Sequence, residues 1–311
     1  MMKRVIPFII GLCVLIILVL NVGINDVLKA ASRADTHLLF TSFLIIILTM
    51  MIKDFRWNFL LKRVSGCGFK KSSLVYFVGQ LTNEFMPIGS GELVRTYWIK
   101  RIDKSSFTRP LSSIIVERVF DLVILLVIVV FGVYIILNLQ GFSHFLILST
   151  MIIIAVIILV LRPRIMKPFL RILPKGISSK ITGKLEDFER AKVAYKKSVL
   201  SITLVLSVTA WLVETCSQSF LLLSFSYPLP FLHVLIIVTI SWLMGTFSFL
   251  PGGLGAREAV FAYLLTLSGT PLGVAITISL VYRAFVYLSF GTLVVIFLLV
   301  NKTSIRDFIP S

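Results

Sequence analysis

Two short segments of this chain combine helix-breaking residues with charged ones inside an otherwise apolar sequence. The first begins at Pro87 and reads Pro-Ile-Gly-Ser-Gly-Glu-Leu-Val-Arg, and the second begins at Pro251 and reads Pro-Gly-Gly-Leu-Gly-Ala-Arg-Glu. A further arginine follows each segment at nearly the same distance, Arg118 in the first case and Arg283 in the second. At membrane depth, irregular backbone next to charge is tolerated only where it is buried in protein or lines a wet cavity. Both segments are therefore candidates for one binding site.

The residue types in these segments suit an anion. Glycine lets the backbone approach a ligand closely, and free N–H groups at the start of the following half-helix attract negative charge. Each segment also carries an arginine, Arg95 or Arg257, and the planar guanidinium binds phosphate or carboxylate through two parallel hydrogen bonds. The predicted substrate group is therefore anionic, with phosphate favoured. The residues predicted to bind it are Asn83, Gly89, Gly91, Glu92, Arg95, Glu117, Arg118, Gly252, Gly253, Gly255, Arg257, Glu258 and Arg283.

Internal ion pairs are the alternative explanation for the same charges. Helical spacing allows the pairs Glu92 with Arg95 and Arg118 with Asp121, and Glu258 could meet Arg283 across the interface of the repeats. Four arginines in matching positions nevertheless favour binding, because charge inside a membrane is costly and usually functional. Glu214 lies in another apolar stretch, where it is either a proton-coupling carboxylate or, as we favour, a hydrogen-bonded packing residue.

Composition identifies the environment of the chain. It is 58% hydrophobic with a mean hydropathy of +1.00, which is too apolar for an ordinary water-soluble core. The formal net charge is +17, but the basic residues cluster between apolar stretches, as the positive-inside rule predicts, and a nucleic-acid binder is not expected. The three cysteines are isolated, so neither a disulfide framework nor a metal site is predicted. Catalytic motifs such as Gly-x-Ser-x-Gly and His-Glu-x-x-His are absent, so we expect neither an enzyme nor a cofactor.

The charges of the loops predict the topology. Basic residues place the N-terminus and the segment 53–71 inside, and the balanced segment 21–37 outside. Residues 72–99 are too few for two crossings, which need roughly 40 apolar residues, so they are predicted to form a re-entrant hairpin broken near Pro87. Residues 231–268 are predicted to form a second broken hairpin.

These segments predict an all-α polytopic protein of the cell membrane with both termini in the cytoplasm. We expect about six full spans and two broken-helix hairpins, or about eight membrane segments. The two units have opposite orientations and are predicted to be inverted repeats, which are typical of transport proteins. The predicted organisation is a single domain, 1–311, with a first repeat, 38–137, a basic cytoplasmic linker with an amphipathic surface helix, 162–197, and a second repeat, 199–300.

Five segments in this order carry a resemblance to a known family. They are Asn83 to Pro87, Gly89 to Arg95, Val116 to Asp121, Leu250 to Glu258, and Tyr282 with Arg283. Together they resemble the lysylphosphatidylglycerol synthase transmembrane family, also called the flippase-like domain family. The resemblance implies a membrane domain that flips a phospholipid aminoacylated by a separate soluble domain. Because the sequence ends at Ser311, lysyl transfer and a tRNA partner are not expected to carry over.

Three functions stay open from the sequence. The favoured one is a flippase or scramblase for a phosphate-bearing phospholipid or isoprenoid lipid, whose tails remain in the bilayer. A transporter of a small anionic solute would instead need a closed polar cavity. The third is a membrane subunit that presents lipid to a glycosyl- or aminoacyltransferase. The predicted partners are membrane lipids with an anionic head group, and a homodimer or a transferase partner stays open.

Overall fold

The computed structural model describes residues 29–86, 89–104, 106–137 and 193–301, together with Cys13 and Ile16. Within these ranges all regular secondary structure is helical, as the sequence predicts. The helices are α1 (Thr36–Leu61), α2 (Phe69–Phe85), α3 (Ser90–Asp103), α4 (Thr108–Leu137), α5 (Lys197–Ser224), α6 (Phe231–Phe247), α7 (Ala256–Leu267) and α8 (Leu272–Asn301). A short 3-10 turn, Pro251–Gly253, separates α6 from α7.

Several predicted features lie outside the described residues. They are the first span at 5–20, Pro87 itself, the span at 145–161, and the linker up to residue 192 with its amphipathic helix.

Three of the described helices are long and apolar enough to cross a membrane. They are α1, α5 and α8, and α6 is a shorter apolar helix of 17 residues. This supports a multi-pass membrane protein. The number of spans and the inverted relation of the two repeats stay predictions.

Capping and helix-breaking residues set where the helices begin. The Asp35 carboxylate accepts hydrogen bonds from the backbone N–H of His37 (2.8 Å) and Leu38 (3.1 Å) at the start of α1. Gly89 precedes α3 with φ at 83°, and Gly255 precedes α7 with φ at 81°. Glycine adopts this left-handed region without the steric cost that a side chain would bring. Both half-helices therefore begin directly after a glycine that turns the chain.

The hairpin formed by α2 and α3 is held by a contact between two glycines. A Cβ atom on Gly91 would lie far inside the van der Waals contact distance from the Gly79 carbonyl oxygen, and one on Gly79 would clash with the side chain of Arg95. The absence of side chains at these positions lets the two helix backbones touch. It also brings Arg95 against α2.

The second hairpin repeats this contact around its own break. A Cβ atom on Gly253 would lie 2.9 Å from the Cα atom of Gly245, and one on Gly245 would lie 3.0 Å from the Cβ atom of Arg257. In both hairpins the arginine follows the contact glycine by four residues, or about one helical turn. The two hairpins therefore share one packing arrangement.

Each hairpin packs against a long helix from the other half of the chain. Helix α2 contacts α8, and α6 contacts α4, while α1 and α5 pack along each other. The α1–α5 contact includes a hydrogen bond from the Ser42 hydroxyl to the Ser217 carbonyl oxygen at 2.9 Å. This interlocking brings residues from both breaks to one interior space.

Candidate functional site

A cavity of about 380 Å³ is lined by residues of both hairpins. This volume falls within the roughly 300–1,000 Å³ that small-molecule sites occupy. Among the predicted site residues, its wall contains Asn83, Gly89, Glu92, Glu117, Arg118, Gly252, Gly253 and Arg257. The remaining predicted residues, Gly91, Arg95, Gly255, Glu258 and Arg283, contact this wall or each other from behind it. The structure thus brings the two predicted segments together, and their role in binding stays a prediction.

Charges of both signs meet in and behind this wall. In the part of the chain that the structure describes, the ion-paired cations at this wall are Lys53, Arg56, Arg95, Arg118, Arg257 and Arg283, and the ion-paired carboxylates are Glu84, Glu92, Glu117, Asp121, Glu214 and Glu258. With all of these groups ionised, their formal charges cancel. The site is therefore a balanced network of ion pairs and not a simple cationic pocket.

Arg56 lies at the centre of a closed cluster in the first half. Its side chain is 1% exposed, and it donates to Glu117 (2.8 Å), to both carboxylate oxygens of Asp121, and to the Ser207 hydroxyl (2.7 Å). A buried guanidinium needs such a set of acceptors, because an unpaired buried charge is strongly destabilising. This arrangement joins α1, α4 and α5.

Arg95 completes the same cluster from α3. Its side chain is fully buried, it donates to the second oxygen of Glu117 at 2.8 Å, and its guanidinium stacks on the rings of Trp57 (4.2 Å) and Tyr76 (4.6 Å). Its Nε and Nη1 atoms find no hydrogen-bond acceptor among the described residues, and the two ring faces supply cation–π attraction instead. Arg95 is thus a structural residue that is closed off from the cavity.

Arg283 forms a second closed cluster, which joins the two hairpins. Its guanidinium donates to Glu84 on α2 (2.8 Å), to the Gly252 carbonyl oxygen (2.9 Å) and to Glu258 on α7 (2.7 Å from Nε). The other carboxylate oxygen of Glu258 accepts from the Gly255 N–H at 2.7 Å. A single arginine therefore fixes the second break against the end of α2, next to the first break.

Side chains also hold the first break. Asn83 accepts a hydrogen bond from the Gly91 N–H at 2.7 Å and donates to Glu92 at 3.2 Å. Glu92 in turn accepts from Arg118 at 2.6 Å, and the Arg118 side chain keeps 33% of its surface exposed. Arg118 is the most exposed arginine of the ion-pair network.

Two of the glycine N–H groups that were expected to be free for an anion already have acceptors within the protein. The N–H of Gly91 is already bonded to an amide oxygen, and that of Gly255 to a carboxylate. The protein itself supplies the acceptors that the helix dipole favours at these positions.

Glu214 holds two of the partly exposed cations of the network, Lys53 and Arg257. Lys53 donates to its Oε2 at 2.9 Å, Tyr282 is hydrogen-bonded to its Oε1, and an Nη atom of Arg257 lies 3.9 Å from Oε1. Arg257 also bonds the Tyr282 hydroxyl at 3.1 Å and lies over its ring. The side chains of Lys53 and Arg257 keep 20% and 16% of their surfaces exposed.

Two of the three ion pairs that the sequence suggested differ from those in the structure. Arg95 pairs with Glu117 and not Glu92, and Arg118 pairs with Glu92 and not Asp121. The reason is that each arginine has an acceptor on a neighbouring helix, Arg95 on α4 and Arg118 on α3, and spacing along one helix does not show which helices become neighbours. The pair of Glu258 with Arg283 is confirmed.

Sequence reasoning missed Lys53, Arg56 and Glu84. It counted the first two as loop charges, whereas α1 continues to Leu61 and carries them inside the bundle. Their spacing of three residues on one helical face, next to Trp57, was the available signal.

Comparison with known proteins gives relatives that cover almost the whole chain. A UPF0104 membrane protein of Pyrococcus horikoshii is 25% identical over 309 aligned residues, which cover 91% of this chain and 92% of the relative. A UPF0104 membrane protein of Methanocaldococcus jannaschii is 24% identical over 306 residues, covering 92% and 91%. One of Methanothermobacter thermautotrophicus is 25% identical over 302 residues, covering 91% and 89%.

The family comparison matches the same length of chain. Residues 4–296 match the lysylphosphatidylglycerol synthase TM region, so the match includes both broken hairpins and every residue of the ion-pair network. This chain belongs to the lysylphosphatidylglycerol synthase TM region family.

Proposed function

We propose that this protein moves a phosphate-bearing lipid from one leaflet of the membrane to the other. The headgroup passes through the cavity, and the hydrocarbon chains stay in the bilayer. The observation that carries this proposal is the presence of three partly exposed cations, Lys53, Arg118 and Arg257, on a cavity wall that both broken hairpins share.

The exposed cations differ from the other charges of the network in how they are held. Arg118 has one carboxylate at 2.6 Å, and Arg257 has only a distant one at 3.9 Å. Both keep guanidinium surface that faces the cavity, where a phosphate can accept charge-assisted hydrogen bonds. An arginine with a single or distant partner can accept a ligand without losing a full shell of protein contacts.

The size and the apolar surfaces of the molecule fit a headgroup whose chains remain outside. A cavity of about 380 Å³ accommodates a phosphate with a small polar substituent but not two long hydrocarbon chains as well. The outer face of α1 exposes Phe40, Leu44, Leu48, Met51 and Phe55 at helical spacing. Such a stripe is suited to contact with lipid chains.

A scrambling assay tests the proposal. The protein is reconstituted into phosphatidylcholine vesicles with a trace of phosphatidylglycerol that carries a nitrobenzoxadiazole label on an acyl chain, and dithionite then bleaches the label in the outer leaflet. We expect nearly complete bleaching with the protein and bleaching of the outer leaflet alone without it. A labelled polyprenyl phosphate in parallel tests the isoprenoid class.

A matched pair of variants connects the activity to the cavity. Arg257→Gln removes an exposed cavity cation and should slow bleaching strongly, whereas Lys100→Gln removes an exposed cation on α3 and should leave it unchanged. Bleaching confined to the outer leaflet for both lipids contradicts the proposal. Uptake of glycerol phosphate by the same vesicles, without lipid scrambling, would assign the cavity to a soluble anion.

A further inference from the structure

We infer that Glu214 is an exchangeable counter-ion, which the phosphate of the substrate displaces and which takes up one proton when that happens. This inference rests on the proposed function and adds a coupling ion to it. The transported anion then crosses the membrane together with a proton.

Glu214 occupies a place that would suit a phosphate group. Lys53 of α1, Arg257 of α7 and Tyr282 of α8 direct their polar atoms at its two carboxylate oxygens. An ammonium, a guanidinium and a phenol hydroxyl from three helices are donors that a phosphate also binds. All four residues line the cavity, so an entering anion reaches this set of donors.

The charge balance of the network requires that something accompany the anion. Among the described residues, the ion-paired cations and carboxylates around the cavity cancel, so an added phosphate diester leaves one uncompensated negative charge in a poorly solvated interior. Such a charge is costly, and buried groups usually avoid it by changing their protonation. One proton on one carboxylate restores the balance.

Glu214 is the carboxylate whose protonation frees two cations that line the cavity. Its bond to Tyr282 joins it to a hydroxyl, which can act as donor or acceptor, so the neutral acid can donate to the phenol oxygen in place of accepting from it. Both oxygens of Glu117 accept from arginines, so a proton there would displace one of two buried guanidinium groups. Glu92 has an Oε2 atom without a partner among the described residues, but a proton on it would free only one cation, Arg118. Protonation of Glu214 releases Lys53 and Arg257 toward the cavity.

The other charged groups near Glu214 have their own partners. Helices α1, α4, α6 and α8 pack against α5. Besides Glu214 and its partners Lys53, Arg257 and Tyr282, four other carboxylates line the cavity, and each is held by an arginine. They are Glu117 and Asp121 of α4, held by Arg56, Glu92 of α3, held by Arg118, and Glu84 of α2, held by Arg283. The lining residues that α6 contributes, Trp242, Gly245 and Thr246, do not titrate. The carboxylate that responds to the anion is therefore Glu214.

The exchange conserves charge and protons in each direction. On binding, a proton from water moves to the Glu214 carboxylate, and the phosphate oxygens accept hydrogen bonds from Lys53 and Arg257. On release, the proton leaves Glu214, and the carboxylate returns to both cations. No group other than the substrate and one proton is gained or lost.

Isothermal titration calorimetry of the purified protein in detergent tests the inference, with dihexanoyl phosphatidylglycerol as the probe. Titrations in two buffers with different ionisation enthalpies give the number of protons taken up. We expect uptake of about one proton per bound lipid. The affinity should fall about tenfold per pH unit over the range in which Glu214 is ionised in the lipid-free protein and protonated in the lipid-bound protein. The affinity must fall as pH rises, because binding consumes a proton.

Two isosteric amide variants localise the proton. Glu214→Gln should bind the probe with no proton uptake and with little dependence on pH. Asp54→Asn replaces a buried carboxylate that is hydrogen-bonded to Asn58 and Ser73 away from the cavity, and it should behave like the wild type.

The calorimetric result for the wild-type protein tests the inference even if a variant fails to fold. Binding without proton uptake in the wild type overturns the inference, and so does an unchanged pH dependence in Glu214→Gln. Neither result affects lipid scrambling, which tests the proposed function separately. A protein that scrambles lipid without taking up protons on binding would keep the function and lose the coupling.

Discussion

Arg95 and Arg257 occupy matching places in the two hairpins and have opposite surroundings. Each follows its contact glycine by four residues, and each bonds the residue that precedes the second arginine of its half. That residue is Glu117 for Arg95 and Tyr282 for Arg257. The Arg95 side chain is fully buried, whereas Arg257 keeps 16% of its surface and lines the cavity.

One difference in residue type accounts for this contrast. A carboxylate neutralises the arginine in the first half and draws Arg56 into the same cluster, so the charge serves the packing of helices. A phenol carries no such charge, so the second arginine has only the Glu214 carboxylate at 3.9 Å and stays partly exposed. A repeated motif therefore need not give two equal binding sites, because the partner residue decides whether an arginine holds the fold or meets a ligand.

The largest expected effect comes from removing the partner in the first half. Glu117→Gln leaves Arg56 and Arg95 buried without the carboxylate they share, which should cost about 3–5 kcal/mol of stability. Thermal unfolding in detergent measures it. Tyr282→Phe, the matched change in the second half, removes one hydroxyl and should cost less, about 1–2 kcal/mol. Equal losses would show that the two halves are not organised differently.

Arg283→Lys tests whether the contact between the two hairpins needs a guanidinium group. Arg283 donates to three acceptors and its side chain is 6% exposed, so Arg283→Lys should lose at least one charge-assisted bond, or about 1.5–3 kcal/mol. Arg118→Lys is the counterpart at an exposed site, where we expect weaker lipid binding with a change in stability of at most about 1 kcal/mol. The measurements are unfolding and probe affinity side by side. If Arg283→Lys unfolds like the wild type, Arg283 does not hold the hairpins together.

The glycine contact gives the next effect. Gly91→Ala places a methyl group against the Gly79 carbonyl oxygen, which cannot move without separating α2 from α3, and should cost about 1–3 kcal/mol. Gly291→Ala is the control, because a Cβ atom there meets no described atom within 4 Å and alanine favours a helix. We expect the control to be at least as stable as the wild type. A tolerated Gly91→Ala would remove close packing as the reason for that glycine.

The smallest effect on stability should come from a change at Arg257, the partly exposed arginine of the second hairpin. Arg257→Lys keeps a cation at a partly exposed position, so unfolding should change by no more than about 1 kcal/mol. Its affinity for dihexanoyl phosphatidylglycerol should nevertheless weaken about tenfold, since lysine lacks the fork geometry. Arg95→Lys should show the reverse, with lower stability and little direct effect on binding. If the two variants change stability and affinity in the same way, the two arginines do not have different roles.

The sequence contained the breaks but not the network around them. Glycine and proline next to charge predicted both hairpins, because these residues have few other uses inside apolar helices. The partners of the arginines could not be predicted, since they depend on which helices become neighbours. Lys53 and Arg56 resemble loop charges in a count of basic residues, and only the length of α1 moves them into the bundle. The balance between cations and carboxylates appears once these partners are assembled.

The joint formed by Arg283 has a consequence for how the protein is made. Its partner Glu84 stands 199 residues earlier in the chain and is synthesised well before α8. Until α8 enters the membrane, the end of α2 carries a carboxylate without its cation, in surroundings where charge is costly. Because such distant contacts form only after the intervening chain is in place, the first half cannot reach its final packing on its own. Completion of the cavity therefore depends on the insertion of α8. A chain whose synthesis stops before α8 lacks the arginine that joins the two breaks.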